Sequence, residues 1–282
     1  MPDRKDLPFL LSLLEDDSYE VRNQVLSALT SFGKDLPALV RPLMPSLEAE
    51  SLEILEALIS PLREQEVEEG WLDWLDIVNP KQSLEYAFIQ LAYLEYGSDA
   101  YLLGEDLDEL AERFQLQFPN GKAAELMEFL FQKENFRSPL EGTESHLHSN
   151  LLFVLRTRRG SQIALSCLAI LVGWRANLDL EGVMIQGNFM AMTYEDQKML
   201  MFNSYNKGKP LARASVMYIE EAFRRNQISP QEMPAKPHEI IIQILKMAID
   251  IHHRRREKNA ARNYVERYQT LLAEVKDRNL NE

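Results

Sequence analysis

The chain has 282 residues, with 44 Asp and Glu against 31 Lys and Arg, a formal net charge of -13 and a single cysteine, Cys167. A chain of this length buries roughly three quarters of the surface it exposes when unfolded, so its core needs no covalent staples; one cysteine excludes an internal disulfide framework. The acidic balance argues against general affinity for a phosphate backbone, and no nucleic-acid partner is expected. The charge is unevenly spread: residues 1–150 carry 11 Lys and Arg against 30 Asp and Glu, whereas residues 151–282 carry 20 against 14. The opening residues have neither the apolar run nor the cleavage site of a signal peptide, and a reducing cytoplasmic setting is expected.

The first elements read as helices. Leu10, Leu11 and Leu14 mark one face, Asp17 or Ser18 is placed to cap a second helix, and Val21, Val25, Leu26 and Leu29 continue it to Gly33. The spacing from Asp17 to Arg22 resembles a HEAT-type helical pair, and a more degenerate pair follows at Leu36 to Met44 and Leu52 to Leu62. After the acidic run Glu64 to Glu69, Trp71 and Trp74 are placed to share a helix face and pack into a core. Further helices are expected at Leu84 to Tyr96, Asp106 to Phe114 and Ala123 to Gln132.

The uncharged run from Gly160 to Trp174 falls short of the roughly 20 apolar residues that span a bilayer. It predicts a core helix and no membrane partner. Beyond Leu178 the apolar period approaches two: Val183 to Ile185, Phe189 to Thr193 and Lys198 to Phe202 predict an antiparallel meander with a polar turn at Tyr194 to Gln197, closed by Gly208 and Pro210. Met184, Met190, Met192, Met199 and Met201 alternate along these strands as core filler. From Pro237, Ile240, Ile241, Ile244 and Met247 line one helix face and Tyr264, Tyr268, Leu271 and Val275 another, giving a hairpin that turns near Glu257 to Asn259 and resembles a tetratricopeptide unit. The predicted class is α+β, with parts at 1–78, 79–228 and 229–282.

Three stretches carry a resemblance: Ser149-Asn150 running into Arg156-Thr157-Arg158-Arg159-Gly160-Ser161-Gln162, the trio Gly187-Asn188-Phe189, and Asn203-Ser204-Tyr205 before Gly208. Together with Glu134 to Phe136 upstream, they resemble the SirB branch of the transglutaminase-like superfamily, over roughly residues 80 to 215 and the helical tail. The resemblance implies a papain-like core with a cysteine at a helix start, a histidine on one strand and an aspartate on the next. It places Gln162, Asn188 and Asn203 at those positions. The branch itself commonly has proline at the first, and its association with bacterial gene regulation carries no mechanism.

Gln162 offers no nucleophile for acyl transfer, Asn188 cannot shuttle a proton near neutral pH as imidazole does, and Asn203 supplies no carboxylate to hold an imidazolium. The expected function is a catalytically inactive, degenerate core acting as a protein-interaction or regulatory module. Gln162, Gln186, Asn188, Asn203 and Tyr205 are the binding candidates, and no cofactor is expected. A hydrolase or amidase would need a relocated nucleophile, Cys167 or Ser166, with His146 or His148 as base. Cys167 lies five residues after Gln162, about 140° round the helix, and is expected to face the core. In an extended segment His146 and His148 would point to one face; with Glu144 or a partner residue they form the metal alternative, but two ligands alone make no zinc site. Basic residues at His252 to Arg256 suit a helix C-terminus. A structural adaptor using only its helical repeats is the remaining alternative, and the sequence sets no oligomeric state.

Overall fold

The computed structural model describes residues 4–14, 16, 18–40, 42–44, 47–48, 50–55, 57–59, 70–228 and 233–278. The chain divides into two compact units, Met1–Trp71 with Tyr96–Ser98, and Leu72–Glu95 with Asp99–Glu282.

In the smaller unit, helix α1 (Leu7–Ser12) is followed by α2 (Tyr19–Thr30) and α3 (Leu36–Val40), and residues 50–55 and 57–59 are also helical. Leu11 and Leu14 meet Val25, Leu29, Leu36, Leu55 and Ile59 in one apolar cluster. Ser18 takes the position before α2 without a side-chain cap; Asp16 instead accepts the Ser18 N–H at 2.8 Å. Asp17 and the acidic run Glu64 to Glu69 lie outside the described residues.

The larger unit begins with a short 3-10 turn, Asp73–Asp76, rather than a regular helix. Trp74 is fully buried there, and the Ser83 hydroxyl donates to its carbonyl at 2.7 Å. Helices α4 (Pro80–Tyr96), α5 (Leu102–Gln117) and α6 (Ala123–Glu128) follow. A π-helical turn at Phe129–Lys133 extends α6, with the Glu134 N–H donating to the Phe129 carbonyl at 2.8 Å. Next come α7 (Leu151–Thr157) and α8 (Gln162–Arg175). Every residue of α8 from Ile163 to Gly173 is buried, as a helix that is apolar all round requires.

Four strands, β1 (Glu181–Ile185), β2 (Asn188–Glu195), β3 (Lys198–Asn203) and the two-residue β4 (Lys209–Pro210), form an antiparallel sheet in that order. Pairing of Val183 with Met190 and of Met192 with Met201 puts these residues, with Met199, on one face against Val216 of α9 (Arg213–Arg225). The opposite face meets α8. Helix α9 was not expected from the sequence. The β2–β3 turn is also tighter than expected: Asp196 and Gln197 alone bend the chain, both at positive φ, so Tyr194 and Glu195 stay in the strand.

Gly208, at φ +66, closes the meander where a Cβ would lie 2.4 Å from the Phe131 ring and 2.9 Å from Met127. Only glycine fits both the left-handed backbone and the approach of the π-helical turn. Helices α10 (Pro237–Arg255) and α11 (Lys258–Asp277) then pair as a hairpin, turning at Arg256 and Glu257. Among the described residues no helix is long and apolar enough to cross a membrane.

Candidate functional site

The start of α8 is fixed by its own sequence and by a buttress. Ser161 caps the helix, its Oγ accepting the Ala164 N–H at 3.3 Å and the Ser149 hydroxyl at 2.9 Å. Its N–H donates to the His148 carbonyl at 2.7 Å. Gly160 is required just before it, since a Cβ would lie 2.9 Å from Val154 and 3.1 Å from Leu165. Arg158 ends α7 in the left-handed region, stacks over Phe136 at 4.4 Å and pairs with Glu134 at 3.3 Å. The segments around Glu134 and Arg158 thus form one joint behind the helix start.

Gln162 opens α8, partly exposed, and its carbonyl accepts the Ser204 hydroxyl at 3.3 Å. Ser166, one turn deeper and buried, lies 3.3 Å from both the Phe189 carbonyl and Ser204 Oγ. Two hydroxyls therefore tie α8 to the start of β2 and to the turn after β3. Ser204 is a site residue that the sequence did not single out; its signal was a small polar side chain directly after Asn203, where a buried bond to a helix carbonyl is sterically possible.

Asn203 does not reach Gln162. Its Oδ1 accepts the Tyr205 N–H at 3.0 Å and caps the 3-10 turn Ser204–Asn206. The Tyr205 phenol is held above its usual pKa by burial, against a backbone hydrogen bond from Gln162, and Glu144 raises it further. Asn188 is placed differently from the expectation. Gln186 and Gly187 form the β1–β2 turn, with φ of +49 and +80, and Asn188 pairs with Ile185. The pleat puts Asn188 on the face of Ile185 and Met190, away from α8, and Phe189 on the other. Gln186 and Asn188 are exposed, and the Gln162 and Asn188 side chains make no hydrogen bond among the described residues. Gln162, Ser204 and Tyr205 thus meet at the helix start, whereas Asn203 lies on the sheet face of Met199 and Met201, and Gln186 and Asn188 stand at the sheet edge.

Cys167 is fully buried, and burial pushes its thiol well above the usual range. Neither candidate histidine faces the helix start as a base. The segment His146–Ser149 is a 3-10 turn, not an extended strand, so the two rings diverge. His148 Nδ1 accepts the Ser145 N–H at 3.0 Å, and its ring meets Phe153 edge to face. His146 Nε2 lies 3.2 Å from Glu95, its ring 4.3 Å from that of His252. His252, read as part of a basic helix end, is buried, with Nδ1 2.8 Å from Glu257. No group of three or more His, Cys, Asp or Glu among the described residues is placed to hold a metal ion.

The model of the transglutaminase-like superfamily matches residues 102–246, from α5 into α10. The chain belongs to the transglutaminase-like superfamily. The matched stretch starts later than the resemblance read from the motifs and takes in only the beginning of the helical tail, and it contains α8, the sheet and every residue just described at their junction. No curated protein and no solved structure matches the chain.

Proposed function

We propose that this chain is a non-catalytic member of the superfamily, a protein-interaction or regulatory module working in the cytoplasm. Its core is a degenerate one of the SirB type, preceded by a HEAT-like helical unit and followed by a tetratricopeptide-like hairpin. The observation that carries the reading is the chemistry at the junction of α8 and the sheet: Gln162, Ser166, Ser204 and Tyr205 supply an amide and hydroxyls, and among the described residues no thiol or imidazole is bonded to them. Ser166 and Cys167 are both buried, and Ser166 has a carbonyl and a second serine as neighbours rather than a base. A general base within hydrogen-bond reach is the first requirement of an activated nucleophile. Gln162 and Tyr205 keep free surface, so a peptide segment laid across them would find amide and phenol groups to bond without being cleaved.

The test has a catalytic and a binding arm. Fluorogenic peptide amides and a labelled amine donor should show no turnover above buffer; turnover that disappears in Ser166→Ala or Gln162→Ala would make the chain an enzyme. In the binding arm, cross-linking recovery of a partner should fall in Gln162→Ala with Tyr205→Ala, at unchanged melting temperature. Asn188→Ala should leave stability within about 0.5 kcal/mol, as at an exposed, unbonded position. Asn203→Ala should cost about 1 kcal/mol through its lost cap. A large loss of stability in Asn188→Ala would mean that the amides close the site on one another.

A further inference from the structure

Arginines of the larger unit are commonly neutralised. Arg113 and Arg158 share Glu134, Arg175 bridges Glu85 and Asp108, and Arg278 bridges Asp76 and Glu274. Arg137, Arg159 and Arg255 depart from that pattern. Among the described residues none of the three has a carboxylate within ion-pair distance; Arg159 donates to the Ser138 carbonyl at 2.9 Å and Arg255 to the Glu144 carbonyl at 2.6 Å.

The three come from separate segments: Arg137 and Arg159 are paired through their backbones, and Arg255 holds the Glu144 carbonyl at the start of the short segment whose His148 carbonyl accepts the Ser161 N–H, two residues beyond Arg159. Arg137 and Arg159 sit side by side in a short parallel bridge: the Arg137 N–H donates to the Arg158 carbonyl and the Gly160 N–H to the Arg137 carbonyl, each at 3.0 Å. Bridged neighbours project to the same side of the backbone. Arg159 and Arg255 both act on the buried ring of His148, whose pKa is lowered first by burial and further by these two charges. Arg254 and Arg256 are exposed on either side of Arg255. The dipole at the C-terminus of α10 favours Arg254 to Arg256, but Arg137 and Arg159 belong to other segments, and it does not account for them.

Guanidinium groups crowded without a counter-charge repel one another, and the planar fork of each matches a carboxylate in two parallel hydrogen bonds. We infer that Arg137, Arg159 and Arg255 form a docking surface for an acidic protein segment, whose Asp and Glu carboxylates take the ion-pair positions that this chain leaves open. A nucleic acid fits less well: a long phosphate chain would run beyond the patch over a molecule of net charge -13, whereas a short acidic segment ends where the patch ends. Glu144 marks the edge of the surface toward the helix start, its carbonyl holding Arg255 and its charge acting on Tyr205. The inference rests on the reading of the chain as an interaction module and names the chemistry of its partner.

The full chain is titrated into a fluorescein-labelled Glu-Ser repeat peptide at low salt, followed by anisotropy, beside an uncharged Gln-Ser peptide and an oligothymidylate of equal charge. Saturable binding of the acidic peptide is expected, weakened by added salt and reduced about tenfold or more by Arg137→Glu. Among the described residues the Arg137 side chain makes no bond, so this variant keeps its melting temperature; Arg159→Lys and Arg255→Lys keep the charge but lose the planar fork, and should bind more weakly than the native chain and more tightly than Arg137→Glu. Binding that is absent, indifferent to Arg137→Glu, or tighter for the oligothymidylate would overturn the inference. The variant carrying Gln162→Ala and Tyr205→Ala separates the two readings. Peptide binding unchanged there but lost in Arg137→Glu supports the patch whatever the fate of the helix start. Partner recovery that depends on Gln162 while the acidic peptide fails to bind removes the patch alone.

Discussion

Cys167 shows how one side chain's surroundings decide its chemistry. A thiol acts as a nucleophile through its thiolate, and complete burial in α8 holds this one protonated. A thiol reagent should therefore leave it unlabelled in the native protein and react fully after unfolding; rapid stoichiometric labelling without denaturant would refute this. His148 carries a pH dependence. Burial, followed by the smaller effects of Arg159 and Arg255, sets its folded pKa below the usual 6.5, against the charge of Glu144. As pH falls, the unfolded chain takes up that proton first, so the stability linked to this group is complete above about 6.5 and is lost toward the lower folded value. Melting temperature should drop as pH is lowered from 7, and His148→Asn, which keeps an acceptor for the Ser145 N–H, should flatten that slope.

Elements were legible in the sequence where a face had to be buried. The apolar run after Gly160 announced α8, and the alternating methionines announced the strands, because burial of one face or all faces leaves a periodic trace. Helix α9 left a weaker trace: Val216, Ile219 and Phe223 alone pack inward, amid Arg and Glu that the solvent holds. The junction was half legible. Gln162 opens α8 and Asn203 ends β3, but which face of β2 carries Asn188 depends on the register with β1, and pairing partners are not written in any local motif. Gly208 is the element-scale case for mutation. Gly208→Ala should destabilise by about 2–4 kcal/mol, from left-handed strain and from overlap with Phe131 and Met127, as read by thermal or urea unfolding.

At the scale of the molecule, two compact units each have their own buried side chains, and only the larger carries the superfamily match. The charge contrast between residues 1–150 and 151–282 is not aligned with that division, since α4, α5 and α6 belong to the larger unit although their sequence is acidic. Composition alone could therefore not place the boundary. A chain lacking residues 1–71 should keep a cooperative melting transition matching one of two seen by calorimetry in the full chain. A single transition in the full chain, with loss of folding on truncation, would show that the units stand or fall together.

The segment from Glu144 to Ser149 is held from two directions. On one side Arg255 grips the Glu144 carbonyl and the His146 ring lies against His252; on the other the His148 carbonyl and the Ser149 hydroxyl hold Ser161. It therefore works as a tie rod between the terminal hairpin and the start of α8. The backbone amide of Ser161 is then a sensor of events at the far end of the chain: loosening the hairpin, by Arg255→Ala with His252→Ala, should speed its deuterium exchange while amides in the middle of α8 stay protected.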